Sequence, residues 1–381
     1  MSLTSHLKDP HSPISRFLAE QLPDTRAVLT DYRERLARFP APLLPRAGAG
    51  LKPEYRMLGH TIDHRLRISL GAPTGAPIKE GIVRAVLDDD GWPSRDVIRA
   101  VQQAGGAMLE ELARYESDTG QPLSLAPAEE ERLIRLCHVA SSFEAIFRHC
   151  GWMRGNTLGL CALGSTLDDL VDAVADYVVD DISQQMQLAA YPGPFEALLL
   201  LEASARICGP VFDGSLQVGG ADADFILDGT LIDCKATIRP ERMSRSEIYQ
   251  LAGYLLLDYS NTHSISTVAL YLSRQGALID WSVEDFLGLL GARHDLATLR
   301  EACCHALTGG QHGTPLPPPD PVRPLPRPRA PSPGRAPPPP RFSPRYLIRW
   351  AEPARGCTAT HHGSGVRRTR PVLICRKPSE T

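Results

Sequence analysis

GADADFILDGTLIDCKAT, residues 220–237, is the stretch whose reading decides the fold, and EIYQLAGYLLLDY, residues 247–259, follows after a short gap. The first stretch reads as a β-hairpin. Asp228-Gly229 is a two-residue turn signal, because Asp and Gly accept the positive φ angles such a turn requires. Apolar, β-favouring residues flank it: Phe225, Ile226 and Leu227 before, Leu231 and Ile232 after. With the turn there, Leu227 faces Thr230, Ile226 faces Leu231 and Phe225 faces Ile232. Asp224 then faces Asp233, and Asp222 faces Lys235. Side chains alternate across a strand, so Asp222, Asp224, Asp233 and Lys235 are expected on one face. Ala223, Phe225, Ile232 and Cys234 fall on the other as core.

Like charges opposite one another destabilise a strand pair. Two facing carboxylates therefore call for a cation between them. Lys235 is one candidate. A hard divalent metal is the other, since Mg²⁺ is held by one or two carboxylates with waters and substrate phosphates. A solvated acidic hairpin without chemistry is the plain alternative. The second stretch has helical periodicity over about residues 245–258. It puts Gln250 and Tyr254 four apart on one helix face.

An acid, a β-turn, Asp-x-Lys, and a helix carrying Gln-x-x-x-Tyr together resemble the PD-(D/E)XK nuclease superfamily in its RecB-like branch. The matching residues are Asp224, Asp233-Cys234-Lys235 and Gln250 with Tyr254. The resemblance covers roughly residues 190–290. It implies a restriction-endonuclease-like αβββαβ core. Pro194–Cys208 reads as the first helix and Pro210–Ser215 as the first strand. Ser266–Ser273 and Ala277–Trp281 read as the strands after the Gln-Tyr helix. The sequence departs from the family pattern in having Ala223, not Pro, before Asp224.

The resemblance also implies phosphodiester hydrolysis of DNA with Mg²⁺ or Mn²⁺. Asp224 and Asp233 would hold the metal with a helix carboxylate, for which Glu196 is favoured and Glu202 stands second. Lys235 would orient the attacking water or stabilise developing charge. Gln250 and Tyr254 would position substrate or water. A nuclease-like fold used without catalysis, as a nucleic-acid-binding or scaffold protein, is the alternative.

The remaining sequence frames this core. Residues 1–185 read as a mainly helical N-terminal region, with apolar spacing of three and four over Ile14–Phe39, Arg95–Glu116 and Pro127–Cys150. Ser165-Thr166 before Asp168 and Asp169 marks a helix start, and the acids that follow, Asp172 to Asp181, read as a solvated face. His60 and His64 in His-Thr-Ile-Asp-His would stand four apart on a helix; a zinc site would need a further ligand. The core spans residues 186–300.

From residue 313 the chain changes character, with fifteen prolines between Pro315 and Pro344. Such a tail is expected to be extended and disordered. Residues 321–381 hold thirteen Lys and Arg against two Asp and Glu, a net of +11, while the whole chain carries −3, so the rest is acidic at −14. An acidic body is not the usual footprint of a protein gripping duplex DNA through a broad basic face. The basic tail could contact nucleic acid through counterion release, or a protein partner through its prolines. Nine cysteines without metal-ligand spacing point to reduced thiols and a cytoplasmic setting. No apolar run is long enough for a bilayer, and none of the Walker, nucleophile-elbow or dinucleotide-binding signatures occurs.

Overall fold

The computed structural model describes residues 2–48, 50–72, 74–87, 92, 94–116, 125–149, 158, 164–190 and 193–309. The described residues belong to one unit, Met1–Leu325. The proline-rich tail expected from residue 313 lies outside the described residues.

Among the described residues ten α-helices precede the first strand: α1 (Leu3–His6), α2 (Pro13–Gln21), α3 (Thr25–Leu36), α4 (Tyr55–Ser69), α5 (Ala76–Leu87), α6 (Arg95–Leu112), α7 (Pro127–His149), α8 (Leu167–Asp172), α9 (Asp176–Ala190) and α10 (Phe195–Leu198). The sheet and its helices follow as β1 (Arg206–Cys208), β2 (Phe225–Leu227), β3 (Thr230–Lys235), α11 (Arg245–Leu257), β4 (Thr267–Leu272), β5 (Ala277–Ser282), α12 (Val283–Leu289) and α13 (Leu296–Leu307). The architecture is mixed α/β. Among the described residues no helix is long and apolar enough to cross a membrane.

The five strands of the described residues lie in sequence order. All neighbours are antiparallel except β3 and β4, which run parallel with α11 as the crossover. The β2–β3 hairpin turns at Asp228 and Gly229, with φ of 47° and 71°. Its register pairs Leu227 with Thr230, Ile226 with Leu231 and Phe225 with Ile232, as the turn chemistry predicts. Beyond Phe225 the expected pairing stops. Asp222 forms an isolated bridge with Val211 and does not face Lys235. The chain before Phe225 is drawn toward β1, where the Gly209 N–H donates to the Asp224 carbonyl. Ala223 accordingly packs on the opposite side from Phe225, Ile232 and Cys234.

Both faces of the sheet are covered. Ile226, Leu231, Val268 and Leu270 pack with α1–α3 and α11–α13. Phe225, Leu227, Ile232, Ala269 and Tyr271 pack with helices α4 to α10. The N-terminal residues therefore do not stand apart from the core. Their first three helices cover one face and the later ones the other. Helix α11 is apolar on nearly all sides, as a helix buried between layers must be.

Local chemistry accounts for several boundaries. The run of helical spacing from Ile14 to Phe39 forms two helices. Pro23 interrupts it, and Asp24 starts α3 by accepting from the Ala27 N–H. Capping boxes open α8, through Thr166 and Asp169, and α11, through Ser244 and Glu247. The acidic run of residues 168–181 divides between α8 and α9, and Asp181 is buried instead of solvated. The helix expected over Pro194–Cys208 shrinks to Phe195–Leu198 and a 3-10 turn at Ala203–Ala205. Arg206–Cys208 is taken into the sheet by pairing with β2, and the strand expected at Pro210–Ser215 is a loop. Tertiary pairing overrides local helix preference here.

Candidate functional site

Three elements build the site: the end of β3, the middle of α11 and the residues just before β2. Asp233 and Lys235 are two apart on β3, so both side chains lie toward α11. Lys235 Nζ stands 2.7 Å from Asp233 Oδ2 and donates to Gln250 Oε1 at 3.1 Å. Gln250 Nε2 donates to the Tyr254 hydroxyl at 2.6 Å, across one helical turn. The Tyr254 hydroxyl in turn donates to the Asp222 carbonyl at 3.0 Å. Phe212 stacks on the Tyr254 ring at 5.7 Å, fixing it in the plane that makes this bond. A continuous polar chain thus runs from Asp233 through Lys235, Gln250 and Tyr254 to the backbone before Asp224.

Asp224 meets β3 through its side chain. Its Oδ2 accepts the Cys234 N–H at 2.7 Å, the bond that a longer hairpin ladder would otherwise supply. Asp233 is only 3% exposed. Asp224, half-buried, lies against α4 and Asp233 under α11, while Asp222 is exposed. Burial raises the Asp224 carboxyl well above the ordinary range, and repulsion from Asp63 and Asp233 adds to it. Burial also raises Asp233, although the adjacent Lys235 ammonium works against the shift. Burial disfavours the Lys235 charge, but attraction to Asp233 and Asp224 outweighs it and raises its pKa. The Tyr254 phenol is raised by burial and by both acids, so it stays a neutral donor.

The sequence does not single out two participants from α4. Arg67 Nε donates to Asp63 Oδ2 at 2.8 Å, and its Nη2 lies 3.7 Å from Asp224 Oδ1. The guanidinium also lies over the Phe225 ring, 5.8 Å from its centroid. Asp63 and Arg67 are an i, i+4 pair, a signal present in the sequence but shared by many helices. Their distance along the chain from Asp224 hides their role.

Glu196 is not brought to these residues. It is exposed on α10, next to Phe195, which is sunk against Phe225 and Tyr271. No hydrogen bond or ion pair joins it to Asp224, Asp233 or Lys235 among the described residues. Glu202 is likewise exposed, at the start of the 3-10 turn. The carboxylate acting most strongly on Asp224 is Asp63, while Glu247 acts more strongly than Asp63 on Asp233.

His60 and His64 do lie on one helix, and both face Glu144 of α7. His60 Nδ1 is 3.5 Å and His64 Nε2 2.9 Å from Glu144 Oε2, while Arg148 holds Oε1 at 2.6 Å. Two histidines and an arginine around one acid make an ion-pair cluster. Among the described residues no three histidine, cysteine or acid side chains stand together in an arrangement that could hold a metal ion. The five described cysteines are all unpaired thiols.

Arg274, just after β4, ties this site to the helical layer. Its Nε donates to the Ala236 carbonyl, directly after Lys235, and its two terminal nitrogens grip Asp181 of α9. The Ser273 N–H donates to the Lys235 carbonyl at 3.2 Å. Comparison with protein-family models, with curated proteins and with solved structures finds no match to the chain.

Proposed function

We propose that this protein is a metal-dependent nuclease that hydrolyses phosphodiester bonds in DNA, built on a PD-(D/E)XK-like core of the RecB-like type. The observation that carries the reading is the linked set Asp233–Lys235–Gln250–Tyr254 beside half-buried Asp224. The order of elements supports it: a short helix, three antiparallel strands, a crossover helix and a parallel fourth strand.

The residues fit a hard divalent cation in their chemistry. Asp63 Oδ1 is a buried oxygen without a hydrogen-bond partner, Asp233 Oδ2 has only the Lys235 ammonium at 2.7 Å, and Asp224 is crowded by both acids. Oxygens of this kind are what Mg²⁺ or Mn²⁺ takes. Asp224 and Asp233 would hold it. When bound, such a cation offsets phosphodiester charge and supplies an acidified water. Lys235 brings a positive charge to the same point. Its bond to Gln250 fixes the ammonium's direction, so little reorganisation is needed when negative charge develops. Tyr254 holds Gln250 in turn.

The decisive experiment is cleavage of plasmid and single-stranded DNA in Mg²⁺ and Mn²⁺ by the full chain and by Lys235→Ala. Cleavage lost in the variant is the expected result. Equal cleavage by both proteins would refute the assignment.

One observation favours a second reading, a non-catalytic nucleic-acid-binding or scaffold protein. Lys235 and Arg67 already neutralise the acids, and among the described residues no three ligands converge. DNA binding by the wild type, with no turnover in either metal, would select that reading. Recruitment of a protein partner through the proline-rich tail is a separate proposal, tested by deleting residues 313–381.

A further inference from the structure

We propose that the connection from α3 to α4 and the connection from β3 to α11 together form a surface for single-stranded DNA. Arg46, Lys52, Arg239 and Arg242 meet its phosphates, and Tyr55, with Leu44 and Leu51, meets its bases. The strand passes beside Lys235, a placement that rests on the nuclease reading above.

Arg274 brings the two connections together. Its Nε donates to the Ala236 carbonyl at 2.8 Å and its Nη1 to the Leu43 carbonyl at 3.2 Å. The Leu43 N–H returns a bond to the Arg274 carbonyl at 2.8 Å, and Gln275 Nε2 donates to the Pro40 carbonyl at 2.6 Å. Both connections thus lie past the carboxyl ends of β3 and β4, the parallel pair. In open α/β sheets that is where ligands bind. Helix α4 continues the same edge. A Cβ at Gly59 would lie 3.9 Å from that of Ala236, and Arg67, two turns further on, reaches Asp224. Tyr55 stands one turn before Gly59, about 6 Å along the helix axis.

The chemistry of these two segments departs from that of the body around them. Residues 1–320 carry −14, yet residues 38–56 hold four basic side chains against Glu54, a net of +3, and residues 237–246 hold three against Glu241, a net of +2. Arg46, Lys52, Arg239 and Arg242 are all exposed. Among the described residues no ion pair engages the first three, and Arg242 has only Glu241, at 3.9 Å. Arg245 is held on Tyr249 and takes no part. Seven large apolar side chains stand exposed among the described residues, and three of them fall here: Leu44 at 62%, Leu51 at 56% and Tyr55 at 43%. A duplex offers phosphates but keeps its base faces stacked inside, whereas a single strand offers both. Apolar and aromatic side chains interleaved with uncommitted cations match the single strand. Two short basic segments on an acidic body likewise suit one backbone better than a broad duplex face.

The test is fluorescence anisotropy of a labelled oligonucleotide, single-stranded or annealed to its complement, with the full chain in metal-free buffer over a salt series. The basic tail is present in every protein and cancels from the comparison. Wild type should bind the single strand about tenfold or more tightly than the duplex, and Tyr55→Ala should lose about tenfold on the single strand with the duplex unchanged. Arg46→Gln with Lys52→Gln, and Arg239→Gln with Arg242→Gln, should each flatten the log–log salt slope of single-strand binding by about 1.4, two phosphate contacts at about 0.7 each. All these positions are exposed, so the variants should melt like wild type. Equal affinity for the two DNA forms, an unaffected Tyr55→Ala or an unchanged slope in either pair overturns the proposal. So does an equal effect of Arg99→Gln, which alters an exposed base on α6, since any surface charge would then serve. Cleavage assays separate the two readings. Cleavage lost in Lys235→Ala, with binding indifferent to these substitutions, would keep the nuclease and remove this surface. Binding as expected, with equal cleavage by Lys235→Ala and wild type, would keep the surface and remove the nuclease.

Discussion

Arg274 and Asp181 are joined by two hydrogen bonds, 2.7 and 2.9 Å long, and their side chains are 1% and 2% exposed. The same guanidinium donates to the carbonyls of Ala236 and Leu43. Gln185 donates to Asp181 and accepts from Ser273, so the pair sits inside a wider hydrogen-bonded network. One side chain thus connects α9, the segment before α4 and the end of the strand that carries Lys235.

Removing one partner strands the other charge in the interior. Asp181→Asn is expected to lower stability by about 3–5 kcal/mol, the usual consequence of breaking a buried pair. Urea unfolding measures it. The double replacement Asp181→Leu with Arg274→Met should be less damaging than the sum of the single changes, because no charge is then left unpaired. Additive losses would show that the pair is not coupled.

The Glu144 cluster gives a pH dependence whose sign can be worked out. Burial alone would raise this carboxyl above its reference of 4.5, but hydrogen bonding and charge from His64, with His60 and Arg148, hold it far below. An acid depressed in the folded state stabilises the fold above its unfolded pKa. That contribution fades as pH falls from there toward the folded value. Glu144→Gln should therefore be less stable than wild type at neutral pH by about 1–3 kcal/mol. The gap should narrow once pH drops below about 4.5. Paired urea melts between neutral and acidic pH test this, and a gap that widens on acidification would contradict it.

Glu196 makes a sharp negative prediction. Its side chain is exposed, while its neighbour Phe195 carries the packing of α10. Glu196→Ala should change stability by no more than about 0.5 kcal/mol, as exposed substitutions do. DNA cleavage and Mn²⁺ affinity should match wild type. A large loss of either would bring Glu196 into the site by a rearrangement of α10.

The contrast between Glu196 and Asp63 shows what the sequence makes legible. Asp228-Gly229 states its own turn, because the positive φ values at both positions are a local demand. The strand register, the spacing of Gln250 and Tyr254 and the strands at Thr267–Leu272 and Ala277–Ser282 follow from equally local patterns. Pro194–Cys208 misleads because its leucine run has helical spacing, while β2 claims its last three residues through backbone pairing. Asp181 reads as one of several surface acids, since its partner lies 93 positions away. Arg67 and Asp224 meet for the same reason: a contact between distant segments leaves no periodic trace in either. Asp222 strays from the expected register because a carbonyl is claimed by Tyr254 and a bridge by Val211.

Tyr254 offers the finest probe of the proposed chemistry. Its hydroxyl accepts from Gln250 and donates to the Asp222 carbonyl, so it holds Gln250 in the position from which Gln250 accepts a Lys235 proton. Tyr254→Phe keeps the ring and its stacking on Phe212 and removes only these two bonds. Each such bond contributes about 0.5–1.5 kcal/mol, so the variant should fold and lose roughly tenfold in cleavage rate. Lys235→Ala, which removes the charge itself, should lose about 10²–10³-fold. Because Gln250 is then free to turn, Gln250→Ala placed on top of Tyr254→Phe should add little. Single-turnover cleavage by the four variants decides it: full additivity of Tyr254→Phe and Gln250→Ala would mean that the tyrosine acts on its own and not through the glutamine.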